Sequence, residues 1–462
     1  MTACTRSAVA MLTDFFASDD IEAAARRTGF VKRTSKITGK LFLALITFGV
    51  WSEAKTTLAQ LAAKVTQVEG HVDVSPEALH QRMNKRAMAF LQEMIQQALG
   101  KMQALAYVYE DHLFEHFLKV HIADSTGFSL PENLKDSFPG SGGSATKAGA
   151  KIQLVWEYKQ SLLEHFALMP WKLPDNKYVD TVVALARQGS LFLFDLGYFK
   201  IKALARIAAA GAYFLTRLNH QANLFVEVNG HLAPFDVASF LKTMEGHLIE
   251  KHISIGTIDL VAARLIASRV PDQVVNERRR AAKKRAKKKG YTPSKTHLEL
   301  LAWNLFITNV PSAIWSSITV VKAYPIRWQI ELIFKSWKSY CHLATINAKK
   351  ADTVLCYLYG RMLLILINYA LYPQVRCAVW VKKQRELSLL KLVRHFQAFA
   401  DTWLHVLFQG ELALRRFLQR ACASAERLAA KAARKRRTTA QTLRESLCQQ
   451  PESVEVVAVV NA

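Results

Sequence analysis

Apolar positions recur at helical spacing through most of the first 115 residues, in LFLALITFGVW, LAQLAAKV and AMAFLQEMIQQAL. In VDVSPEALHQRM, Ser75 has the chemistry of an N-cap, Pro76 suits the first helical position and Glu77 suits the first turn. Short helices with such starts fit a helix-turn-helix-like DNA reader, and equally an ordinary helical bundle with no groove contact. The middle of the chain changes period. FLKVHIAD (117–124) alternates, KIQLVWEY (151–158) follows a loop rich in Gly and Ser, and SLFLFD (190–195) is a continuous apolar run of buried-strand length. The helical stretches DTVVALARQG and KALARIAAAG flank that third run, and YFLTRL returns to strand character. Strands alternating with helices predict a mixed α/β domain around a central sheet.

Between about Asn219 and Leu300 the pattern predicts short strands, in LFVEVNG and HISIGTIDLVAARLIASRV, and then the basic run ERRRAAKKRAKKKG. LAWNLFITNV (301–310) reads as a strand again, and a helix is expected from about Tyr324. This is the pattern of a β-rich insertion inside an α/β domain. Beyond about Cys341 the chain reads as helical. VLCYLYGRMLLILINYALY (354–372) is just long enough to cross a bilayer, but Arg361 and Asn368 lie inside it. A charge at that depth is costly in lipid, so a buried core helix is expected.

Composition adds a partner class. The 62 Lys and Arg outnumber the 37 Asp and Glu, giving a formal charge of +25, which favours a polyanion such as nucleic acid. Two basic tracts hold much of the excess, with nine Lys or Arg between Arg278 and Lys289 and six between Arg427 and Arg437. Such runs are often only solvated, so neither alone establishes a contact. The six cysteines show no C-x-x-C pair, which points away from a zinc site or disulfide framework and towards a reducing cytoplasm. The N-terminus lacks the basic start and long apolar core of a secretory signal.

The segment YPIRWQIELIFKSWK places Tyr324, Arg327, Glu331 and Lys338 at i, i+3, i+7 and i+14. On one continuous helix these cluster on a single face, Glu331 and Lys338 only about 20° apart. An amphipathic surface helix with i, i+4 ion pairing would give part of the same pattern. What separates the readings is that Asp124 and Asp195 each end a predicted strand, where ligand crevices form in α/β sheets. Should the Glu331 helix cross that edge, three carboxylates converge. Their mutual repulsion would call for a cation, and oxygen ligands suit Mg²⁺ or Mn²⁺. The chemistry implied is metal-assisted phosphodiester cleavage and transfer. No G-x-x-x-x-G-K-[ST] loop supports ATP-driven chemistry, and no H-E-x-x-H pattern supports a zinc hydrolase.

The Y-x-x-R-x-x-x-E-x-x-x-x-x-x-K spacing, with ADSTGF and FDLGYF around the two aspartates, resembles the DDE-class bacterial insertion-sequence transposases of the Tyr-Arg-Glu-Lys signature group, over about residues 115 to 345. That resemblance implies an α/β ribonuclease-H-like catalytic domain (116–219 and 300–345) interrupted by a β-rich insertion with a basic run (220–299). A helical DNA-binding domain (1–115) would precede it, and a helical C-terminal region (346–462) suited to dimerisation would follow. It implies that Asp124, Asp195 and Glu331 hold two Mg²⁺ ions, or Mn²⁺, for cleavage and strand transfer. Tyr324, Arg327, Lys335 and Lys338 would bind DNA phosphates, and Trp328 and Trp303 would stack on a displaced base. The partners implied are double-stranded DNA at the element ends, target DNA and a second copy of the chain in a synaptic complex, in a bacterial cytoplasm. A metal-dependent nuclease without strand transfer, or a non-catalytic DNA-binding regulator, are the alternatives from other classes.

Overall fold

The apolar helices from the two ends of the chain share one core. A computed structural model describes residues 3–103, 112–141, 146–346, 348–383, 385–431 and 457–458. These divide into two compact units, the first falling within Met1–Tyr109, Ser125–Leu173 and Gln329–Lys435, the second within Glu110–Asp124, Pro174–Trp328 and Arg436–Ala462. Most of the second basic tract and of the C-terminal tail lies outside the described residues.

In the first unit, α1 (Ala3–Phe15), α2 (Ser18–Arg27), α3 (Gly39–Ala44), α4 (Leu58–Val68), α5 (Pro76–Arg82) and α6 (Lys85–Gln103) precede α13 (Gln329–Tyr340), α14 (Ala351–Lys383), α15 (Leu389–Gln397), α16 (Ala400–Val406) and α17 (Glu411–Leu428). The expected cap at Ser75 forms, and α4 has a further one. Ser75 accepts from the Ala78 amide at 3.1 Å with Pro76 next, and Thr57 and Gln60 close a reciprocal capping box on α4. α14 is the axis of the unit and packs against α1, α6 and α17. Of its most apolar window, 89% is buried in protein, as expected for a core helix, and within it Asn368 Nδ2 donates to the Leu364 carbonyl at 2.8 Å. Gly360 permits the closest approach, since a Cβ there would lie 2.3 Å from the Ile46 carbonyl oxygen in the π turn Leu45–Gly49. The same unit carries the antiparallel hairpin β2 (Gly149–Glu157) and β3 (Leu162–Pro170). Glu157 is fully buried and closes this hairpin, accepting from the amides of Lys159 and Gln160 at 3.1 and 2.6 Å.

The second unit is built on a sheet. β1 (Val120–Ser129) contributes its first half here, up to Asp124. It lies parallel to β4 (Leu191–Phe194), which lies parallel to β5 (Tyr213–Arg217). Val120, Ile122, Leu191, Leu193 and Leu215 are completely buried, as parallel strands covered on both faces require. The crossover from β4 to β5 is α8 (Ile201–Ala209), and α7 (Val179–Val183) precedes β4. Beyond β5 the order continues β10 (Trp303–Thr308), β9 (Val261–Arg269), β8 (Leu248–Ile255), β6 (Leu224–Val228), β7 (His231–Pro234), and β11 (Val457–Ala458) also pairs with β8.

Three expectations need correcting here. The strand through FLKVHIAD does not stop at Asp124 but continues through Thr126 and Phe128, both buried, to Ser129. The segment between β5 and β10 is not only strand. It also contains α9 (Val237–Thr243), α10 (Asp272–Lys288) and α11 (Lys295–Leu300), and its strands extend the same sheet. Local charge gave no sign that the basic run is a seated helix. After α12 (Ser317–Ala323), residues Tyr324–Trp328 form a 3₁₀ turn, and α13 begins only at Gln329. Tyr324 keeps α-region dihedrals, but Pro325 has no amide proton to donate to the ladder, and the signature does not lie on one continuous α-helix.

One buried ion pair stiffens the outer part of this sheet. Arg264 on β9 binds both oxygens of Glu250 on β8, through Nε at 2.6 Å and Nη2 at 2.8 Å, and its Nη1 donates to the carbonyls of Val310 and Trp315. Ser317, at the start of α12, donates to the same carboxylate. Burial, the largest single influence, pushes the Glu250 carboxyl up, but the bonds from Arg264 and Ser317 together hold it below its ordinary value.

Candidate active site

Two of the three expected carboxylates stand on neighbouring parallel strands of the second unit. Ile122 on β1 pairs with Leu193 on β4. Carried two residues on, this register sets Asp124 beside Asp195, on strands about 4.8 Å apart. Both side chains are partly exposed while the residues before them are buried, so the acids emerge from the core at one level. Asp195 follows β4 directly and starts a 3₁₀ turn, Leu196–Tyr198, that brings the Tyr198 ring back under the site.

The Tyr and Arg of the signature serve these two acids. Arg327 donates from Nη1 to Asp124 Oδ2 at 3.1 Å, with only 12% and 21% of the two side chains exposed. The Tyr324 hydroxyl donates to the carbonyl oxygen of Phe194 at 3.2 Å, fixing the peptide that leads into Asp195. Its ring packs on Phe306 at 5.0 Å. Burial pushes the Tyr324 phenol up to about 12, Arg327 partly offsetting this and the charge of Asp195 adding to it. The phenol therefore stays protonated and donating at neutral pH. Within the 3₁₀ turn Tyr324 and Arg327 remain on one side, because i and i+3 eclipse in that helix. The sequence pairing of these two residues is thus kept by a different helix type.

The electrostatics show a further acid that sequence reasoning missed. Tyr198 has its phenol raised well above the ordinary value, first by burial and then by the charges of Asp175, Asp124 and Asp195. A Cβ on Gly197 would lie 3.6 Å from Asp175 Oδ2. Asp175 sits in a 3₁₀ turn, in a PDNK segment whose composition signals only a turn. Arg217 at the end of β5 was likewise unremarked, and its charge reaches Tyr324. The oxygens of Asp124 and Asp195 are hard donors of the kind that Mg²⁺ or Mn²⁺ takes, and a cationic group, Arg327, already balances one of them. Among the described residues, no three His, Cys, Asp or Glu side chains form a ready group for a metal ion.

The remaining signature residues belong to the first unit. Glu331, Lys335 and Lys338 are on α13, where spacings of four and three residues put them on one face. The opposite face is the anchor. Ile330, Ile333, Phe334 and Trp337 are buried, Trp337 meets the ring of Phe166 at 5.4 Å, and the helix end is held by Trp51 Nε1 donating to the Tyr340 carbonyl at 2.9 Å. Glu331 is half-buried and both lysines are exposed, with the Lys338 ammonium lowered from its ordinary value by desolvation. Of the two tryptophans, Trp328 is 62% exposed, whereas Trp303 is 9% exposed and packs within the sheet beneath Arg269, whose guanidinium lies 5.9 Å from the ring.

The family described as "Transposase DDE domain" matches residues 115–367. The chain is 29% identical over 395 residues to the transposase for insertion sequence element IS231B of Bacillus thuringiensis subsp. berliner, covering 82% of each protein. It is 28% identical over 445 residues to the transposase for IS1151 of Clostridium perfringens, covering 93% of this chain and 94% of that one. Among solved structures, a piggyBac transposase synaptic complex with hairpin DNA is similar at a TM-score of 0.45 and 10% identity, over 90% of this chain and 85% of that one.

Proposed function

Because the chain belongs to the Transposase DDE domain family, and is a DNA transposase with metal-dependent DDE catalysis, we propose that Asp124, Asp195 and Glu331 are its catalytic carboxylates. The observation that carries this reading is the attachment of two signature residues to the aspartate pair, Arg327 to the Asp124 carboxylate and Tyr324 to the carbonyl before Asp195. A helical signature that only paired charges on its own surface would reach neither strand.

Asp124, Asp195 and Glu331 would be the residues to hold Mg²⁺, or Mn²⁺ in its place. When bound, such ions activate water or a DNA 3′-hydroxyl and stabilise the leaving oxygen. The chain's own groups supply the rest. Tyr324 keeps the β4 end fixed and presents a protonated phenol. Arg327, released from or shared with Asp124, clamps a phosphate bidentately, and Lys335 and Lys338 bind phosphates as point charges. Trp328, largely exposed one turn before Glu331, stacks on a displaced base, a contact worth about 1–3 kcal/mol. Trp303, the second residue proposed to stack, would have to turn its ring out of the sheet packing to do so.

The catalytic domain is of the ribonuclease-H-like class, with the helical region 1–115 reading the element ends. Two copies pair two double-stranded ends before joining them to target DNA in the bacterial cytoplasm. The test is incubation of the full-length protein with linear DNA carrying the element ends, in Mg²⁺ or Mn²⁺, with nicks mapped at nucleotide resolution. Wild type should free a 3′-hydroxyl at the element boundary and, with target DNA added, give joined products. Asp195→Asn and Glu331→Gln should bind the ends and leave them uncut. Undiminished cutting by Glu331→Gln would remove Glu331 from the triad, and cutting without joined products would reduce the activity to that of a nuclease.

A further inference from the structure

The nine cations between Arg278 and Lys289 look alike in sequence, but the structure sorts them into two faces. α10 rests on the second unit through Val275, Arg278, Arg279, Ala282 and Ala286, all buried or half-buried and spaced 3, 1, 3 and 4 residues apart. The two cations in this stripe are anchors. Arg278 donates from Nη2 to Asn304 Oδ1 at 2.7 Å and from Nη1 to the carbonyls of Leu301 and Trp303 at 3.4 Å. Arg279 donates from Nε to the Leu298 carbonyl at 3.0 Å. An otherwise very polar helix is thus held on β10 and α11 by its own guanidinium groups.

The opposite face is a stripe of Arg280, Lys283, Lys284, Lys287 and Lys288, all exposed. At about 100° per residue these five fall within an arc of about 140°, centred nearly opposite the seat, and they run for about 12 Å along the axis. Arg285 lies beside the arc and Lys289 follows the helix end, and both are exposed. Glu277 stands one turn before Arg280 on the same side, yet among the described residues none of these seven cations forms an ion pair. Arg280 makes a bond to the Asn276 carbonyl of its own helix. Five like charges so close repel one another, and a helix interior carrying them is stabilised by a polyanion laid across it.

We propose that this face of α10 is a phosphate-binding surface for duplex DNA, separate from the signature residues and indifferent to base sequence. The proposal rests on DNA being the partner of the chain and adds which surface carries part of that binding. Four of the five stripe residues are lysines, compact point charges that suit backbone phosphates more than planar bidentate recognition. A helix pinned at its inner face holds the charges at fixed spacing, which a solvated tail would not.

The test uses the full-length protein in EDTA, so that no cutting occurs, with two labelled duplexes, one carrying an element end and one of unrelated sequence. Binding is followed by fluorescence anisotropy from 50 to 200 mM salt. A variant with Lys283, Lys284, Lys287 and Lys288 all replaced by Gln is compared with one in which the same four become Arg. Each phosphate contact contributes about 0.9 to the slope of log affinity against log salt, so loss of two to four contacts makes the slope shallower by about 2 to 4. The Gln variant should show that change equally on both duplexes and the Arg variant should keep the wild-type slope. An unchanged slope in the Gln variant, an equal loss in the Arg variant, or a loss confined to the element-end duplex would overturn the proposal. Wild type with no salt-dependent binding to either duplex would instead overturn the reading of DNA as partner.

Discussion

Replacing Arg327 by Gln leaves the Asp124 carboxylate without the guanidinium that balances it, and the structure allows the cost to be worked out. At the observed 3.1 Å, Coulomb attraction between unit charges is about 5 kcal/mol at an effective dielectric constant near 20. Desolvation of both groups and ordering of the arginine oppose most of this. Fully exposed pairs retain about 0.2–1 kcal/mol, and breaking fully buried ones costs about 3–5. With side-chain exposures of 12% and 21%, the pair falls between, and a coupling of about 2 kcal/mol is expected. That corresponds to a factor of about 30 in an opening equilibrium. Hydrogen-exchange mass spectrometry on peptides covering Val120–Asp124 and Tyr324–Trp328 reads this local opening without requiring the whole chain to unfold in one step. Arg327→Gln and Asp124→Asn should each speed exchange there about 30-fold, and the double variant no more than either alone. Fully additive effects, or single effects under about threefold, would show that the contact contributes nothing to the site's order and would leave Arg327 free of Asp124 in solution.

Several other perturbations discriminate structural from chemical roles. Trp328→Ala should leave thermal stability within about 0.5 kcal/mol while lowering end cleavage, whereas Trp303→Ala should cost about 3 kcal/mol, both read by thermal melts beside a nicking assay. Arg264→Leu strands the Glu250 carboxylate and should destabilise by about 3 kcal/mol in denaturant titration. Because Glu250 is held below its ordinary value when folded, its contribution is present above the unfolded carboxyl pKa and is lost as pH falls through the folded one. The wild type should therefore lose stability on acidification, and the Glu250→Gln variant should lose less. Gly360→Ala drives a methyl into the Ile46 carbonyl and should lower the melting temperature by about 5 °C or more. The thiols of Cys341, Cys356 and Cys422, which burial pushes up to about 12, should resist alkylation at pH 8 in the native protein and react after unfolding, as followed by mass spectrometry.

Local pattern was enough for much of the architecture. Helical period gave the N-terminal helices and local residue chemistry the cap at Ser75, and continuous apolar runs gave β4 and the buried α14, because each signal is confined to a few turns or one strand. It was misleading where a neighbouring element decides the outcome. β1 outlasts Asp124 because Thr126 and Phe128 find a buried side, and no alternation within FLKVHIAD announces that. The turn at Tyr324–Trp328 is 3₁₀ because Pro325 interrupts it and because the Tyr324 hydroxyl has a carbonyl to reach on β4.

The candidate chemistry divides in the same way. Residue type and spacing alone singled out Asp124, Asp195, Tyr324, Arg327 and Glu331, since the signature is a local pattern and carboxylates at the ends of apolar runs are legible one strand at a time. That Arg327 serves Asp124, that Tyr324 serves the strand end before Asp195, and that Asp175 adds its charge near Tyr198 follow from strand register and side-chain burial. The basic run gives the plainest contrast. Nine similar cations in sequence become two anchors and an outward stripe only once a sheet exists to seat one face of the helix, because solvation distinguishes like charges by where they stand and not by what precedes them in the chain.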